Sequence, residues 1–64
     1  MTTISTLAAG LERQLNNNAS FMAISTRVLL RTGVSLREPK PTQNSDAGAV
    51  TKVRAALADM GYSF

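Results

Sequence analysis

The chain has 64 residues, seven Lys plus Arg against four Asp plus Glu, and neither histidine nor cysteine. That length makes one domain at most, and the missing thiols and imidazoles exclude disulfide staples, thiolate or imidazole metal sites and most nucleophilic or general acid–base catalysis. The net charge of +3 favours a polyanion or an acidic protein surface as partner, beside the plainer reading of a soluble basic surface.

The spacing predicts a first helix over 3–15. Ile4, Leu7, Ala8, Leu11 and Leu15 recur at i, i+3, i+4, i+7 and i+11, which is one stripe of a helix. Thr2 or Thr3 can cap it through a side-chain oxygen. Gly10 interrupts the interior at a cost of about 1 kcal/mol relative to Ala. It fits either a close helix–helix approach or simple tolerance. The triplet Asn16-Asn17-Asn18 is a break, because asparagine accepts left-handed backbone and caps helices; one of the three can end the first helix, and Asn18 or Ser20 can begin the second. So short a connection makes the first two helices neighbours.

The second helix is expected over 19–32 and ends at Gly33. Phe21, Ile24, Ser25, Val28, Leu29 and Thr32 share one broad arc, while Ser20, Ala23, Arg27 and Arg31 fall opposite. Leu30 stands about 180° from Phe21, on the outer side. Residues 34–45, VSLREPKPTQNS, read as a flexible Pro-containing loop, since Pro39 and Pro41 cannot sit inside a helix. A third helix is expected over 46–60, capped by Ser45 or Asp46, with Val50, Val53, Leu57 and Met60 inward and Gly61 as its stop. Val34-Ser35-Leu36 and Tyr62-Ser63-Phe64 both alternate, so a short two-stranded ribbon from 34–36 and 62–64 is a physically reasonable addition, with a frayed tail as its alternative. The expected fold is therefore mainly α, a compact three-helix domain of helix-turn-helix-like type. Its expected core is Leu7, Leu11, Leu15, Phe21, Ile24, Val28, Val50, Val53, Leu57 and Met60.

Catalysis has little to stand on. Glu12, Glu38, Asp46 and Asp59 are scattered, and the isolated glycines make no phosphate-cradling loop. No enzyme activity, cofactor, metal site or small-molecule substrate is expected. No run approaches the roughly 20 apolar residues of a bilayer span, and the N-terminal stretch lacks a basic signal-peptide region, so the expected location is cytoplasmic without membrane association.

The positive signal is cationic. Arg27 and Arg31 form a like-charge pair at i, i+4. Such a pair costs a helix a few tenths of a kcal/mol, about 0.2–0.5, unless an anion bridges it. Helix-dipole matching near the C-terminus is the bland account of the same two residues. Small and hydroxyl residues beside arginine suit a helix that approaches a DNA groove. The expected nucleic-acid contacts are Ser20, Thr26, Arg27 and Arg31 on the second helix, with Arg37, Lys40, Lys52 and Arg54 adding backbone contacts. The segments Thr26–Leu30 and Val50–Tyr62 resemble pieces of the lactose-repressor-type headpiece. They stand too far apart for it and lack the turn before its recognition helix, so the resemblance assigns no family. The function expected first is a small DNA-binding regulator of transcription. The alternative is a protein-interaction module, a phage- or plasmid-type inhibitor or adaptor. Met22, Leu29 and Leu30 would be its interface, either in a homodimer or on an acidic partner.

Overall fold

The computed structural model describes residues 2–64. Four helices occur in it: α1 Ile4–Leu15, α2 Asn18–Thr32, a short α3 Pro41–Asn44, and α4 Ala47–Asp59. The three long helices match the expected ones to within a residue or two at each end. They pack mutually, α2 against both α1 and α4 and α1 against α4, while α3 touches α1 and α4.

The helix ends show why the chain breaks where it does. Thr3 caps α1, its side chain accepting from the Thr6 N–H. Asn16 closes α1 in the left-handed region (φ 47°), its N–H donating to the Glu12 carbonyl. Asn17 then opens α2, its side chain accepting from the Ser20 N–H at 3.0 Å. Two asparagines thus do two different jobs, one backbone and one side chain, and leave no loop between the helices. Asp46 caps α4 by accepting from Gly48 and Ala49 N–H groups. At the far end of α4, Gly61 (φ 93°) takes the left-handed position, and the Tyr62 N–H donates to the Leu57 carbonyl at 2.9 Å. The Gly61 N–H donates to the Ala58 carbonyl at 3.0 Å, which completes a Schellman stop.

Residues 33–46 depart most from expectation. Val34 and Leu36 are buried and join Ile4, Leu7, Leu11, Phe21, Val28, Val53 and Leu57 in the core. Their alternation is real, but it serves to drop two side chains into the helical core, not to build a strand. No strand occurs among the described residues, and the expected ribbon between 34–36 and 62–64 is corrected accordingly. The C-terminal segment lies on α1 instead: Gln14 Nε2 donates to the Ser63 carbonyl at 2.7 Å, and a Cβ placed on Gly10 would meet the Phe64 ring at 3.0 Å. Gly10 is therefore a seat for an aromatic ring. The expected flexible loop also holds a helical turn, with Pro41 at the N-terminal position where its missing N–H costs nothing.

That turn has a fixed purpose in the fold. The Ser5 N–H and hydroxyl both donate to Asn44 Oδ1, at 3.1 and 2.7 Å. Asn44 thereby supplies a second cap to α1 from 39 residues away. Asn44→Ala should cost about 1 kcal/mol, while Asn44→Asp keeps the acceptor, adds a charge suited to a helix N-terminus, and should match or exceed wild type; urea melts of both variants check this. Gly10→Ala should gain helix propensity yet lose the Phe64 contact. In that background Phe64→Ala should cost clearly less than in wild type, and a double-mutant cycle with equal costs would contradict the ring contact.

Candidate nucleic-acid interface

The outer surface of α2 is fixed by what its inner surface must do. Phe21, Ser25 and Val28 are buried, and Thr32 and Ile24 are half-buried. Ser25 enters the core because its hydroxyl donates to the Phe21 carbonyl at 2.7 Å, and Thr32 does the same to Val28 at 2.7 Å. With that side inward, a 3.6-residue period sets Ala23, Thr26 and Leu30 outermost, at i, i+3 and i+7. Ser20, Arg27 and Arg31 form one border of this stripe; Met22 and Leu29 form the other. All eight are exposed, and Leu30 reaches 81%. Leu29, on the edge of the expected apolar arc and among the expected interface residues, is 45% exposed, with Ser35, Arg37 and Glu38 bordering it.

Arginine placement brings α4 into the same surface. Arg27, Leu30 and Arg31 line a shallow depression with Met60. Beside it, Arg31 and Thr32 line a second with Lys52, Ala55, Ala56 and Asp59 of α4. Alanines at 55 and 56 leave the room in which the longer side chains meet. Arg31 Nη1 stands 3.6 Å from Asp59 Oδ2, with both side chains more than half exposed. This is a weak surface pair, in the range of about 0–1 kcal/mol. It does explain an acid in the last turn of α4, where the helix dipole alone disfavours one.

Of the eight expected nucleic-acid residues, Ser20, Thr26, Arg27, Arg31 and Lys52 therefore share the α2–α4 surface. Lys40 and Arg54 lie apart from it, and Arg37 stands across the stripe from the arginine border, beside Leu29. Arg37 sits where the 33–40 segment meets α1, near Ser5, Ala8 and Glu12. Lys40 precedes α3, and Arg54 points toward the chain start, Nη2 donating to Thr2 Oγ1 at 3.5 Å. Thr26 also differs from expectation in its chemistry. Its hydroxyl donates to the Met22 carbonyl at 3.0 Å, so its methyl group is what it chiefly offers outward. Sequence reading missed Asp59 as the partner of Arg31, although Lys52, Ala55, Ala56 and Asp59 recur at i, i+3, i+4 and i+7 on α4 and could have marked a face.

No group of three or more acidic, His or Cys side chains among the described residues is placed to hold a metal ion. No described helix is long and apolar enough to cross a membrane. Comparison with protein-family models, curated proteins and solved structures finds no match for this chain.

Because the Arg31–Asp59 pair is exposed, Asp59→Asn removes an attraction and a dipole penalty together. Its unfolding free energy should stay within about 0.5 kcal/mol of wild type in urea titration.

Proposed function

We propose that this chain is a small DNA-binding protein of the regulator kind, with α2 as the element presented to the duplex and α1 as its support. The observation that carries the reading is the meeting of Arg27 and Arg31 of α2 with Lys52 of α4 on one exposed surface. Three cations there face a single acid, Asp59. Arginine and lysine so grouped suit phosphate oxygens, and arginine also suits the guanine edge. A tight connection between α1 and α2 supports a helix-turn-helix type of use, in which the second helix enters the groove. Arg37 lies beside Leu29 across the stripe, and Lys40 and Arg54 lie off this surface, so these three serve at most flanking phosphates.

The test is a titration of duplex DNA at several salt concentrations. Log K should fall linearly with log salt, with a slope near −0.9 for each phosphate neutralised. Arg27→Gln with Arg31→Gln should leave the melting temperature nearly unchanged and flatten that slope by about two. Absence of binding at 50 mM salt ends the DNA reading.

The second reading, a protein-interaction module or homodimer through Met22, Leu29 and Leu30, is favoured by one observation: Leu30 is 81% exposed on a domain with few apolar side chains to spare. Sedimentation of Leu30→Glu beside wild type addresses it, since a seam at Leu30 requires the mass to drop.

A further inference from the structure

A DNA-facing helix is usually polar along its centre, yet the outermost stripe of α2 is Ala23, Thr26 and Leu30. The stripe is apolar in effect. Ala23 ends in a methyl group, the Thr26 hydroxyl is committed to the Met22 carbonyl at 3.0 Å, and Leu30 is 81% exposed. Its border on one side is cationic, with Arg27 and Arg31 on α2 and Lys52 beyond them on α4. We propose that this stripe reads thymine methyl groups in the major groove, with Leu30 as the specificity-determining residue and the arginines holding the adjoining backbone. The inference rests on the DNA reading above and deepens it, naming the base feature that the surface prefers.

Charge selects the occupant. A second copy related by a twofold axis across antiparallel α2 helices would bring the Arg27–Arg31 border of each helix against the same border of the other. The like charges would then oppose each other along the seam. A duplex instead offers phosphates to the Arg27–Arg31 border and an apolar group to the centre of the stripe. In the major groove the thymine C5-methyl is the one apolar feature of the base edges, and alanine, threonine methyl and larger apolar side chains contact it. Arg31 carries its own counter-ion, Asp59, at 3.6 Å, and a phosphate arriving there takes that place. Leu30 shares its depression with Met60 and still stays 81% exposed.

The experiment compares alternating poly(dA–dT) with alternating poly(dA–dU), which lacks only the methyl group, at fixed salt and across a salt series. Wild type should bind the thymine polymer about threefold to fivefold more tightly for each methyl group contacted. Leu30→Ala should remove most of that preference while keeping the salt slope and the melting temperature, because the side chain is exposed. Adding 5-methyl groups to the cytosines of poly(dG–dC), which places a methyl in the same groove, should strengthen binding by wild type and not by Leu30→Ala. Equal affinity for the thymine and uracil polymers, with a normal salt slope, overturns the methyl reading and leaves DNA binding standing. A preference that survives Leu30→Ala overturns the assignment of Leu30. Failure to bind any of the polymers at 50 mM salt overturns both.

Discussion

The arrangement of this protein depends on α2 being held along one side by two helices at once. Both α1 and α4 pack on it, and the side chains that meet them are Phe21, Ser25, Val28 and Thr32, with Ile24 at the margin. A chain this short buries only about 60% of its unfolded surface, so the central helix cannot be surrounded. Once those positions are inward, the outward ones are determined by the helical period. The stripe of Ala23, Thr26 and Leu30 and the arginine border are thus geometric consequences of the core. What they are used for is a separate question, and the chemistry of the groups decides it.

The helices could be read from residues because each carries a clean apolar period and end-forming residue types, although the exact caps stood between neighbours: Thr3 caps in place of Thr2 and Asp46 in place of Ser45, while Asn17 opens α2 where Asn18 or Ser20 was expected. Thr3, Asn17 and Asp46 cap; Asn16, Gly33 and Gly61 take left-handed backbone. These are local facts, and local facts are visible in a sequence. Residues 34–45 were hard to read for the opposite reason. Val34 and Leu36 alternate, which describes a strand equally well as two plugs entering a core from an extended segment, and only tertiary packing separates the two. Likewise the Ser5–Asn44 hydrogen bonds join positions that no spacing rule connects. Leu29 shows the limit of an apolar arc: its width does not say how much of it neighbours cover, and this residue at its edge is 45% exposed.

The candidate surface was legible by the same measure. Arg27 and Arg31 could be paired on sequence alone, being one turn apart. Lys52 joins them only because α4 packs against α2, with Ala55 and Ala56 keeping the gap open. Arg37 reaches the border of α2 beside Leu29, whereas Lys40 and Arg54 share with the surface only the sign of their charge, and the fold separates them from it. Thr26 shows a finer limit. Its residue type suggests a hydrogen-bond donor, but an exposed threonine in a helix can satisfy its hydroxyl on the preceding turn, and this one does.

The same habit extends along the helix. Ser25, Thr26 and Thr32 all return their hydroxyl protons to carbonyls of α2 itself, and Thr32 also accepts the Val34 N–H at 3.1 Å. The helix contains no carboxylate. Hydroxyls whose protons are spent on the backbone keep only acceptor lone pairs for anything outside the helix, so along α2 the ionic donors, Arg27 and Arg31, are set among methyl groups and weak acceptors.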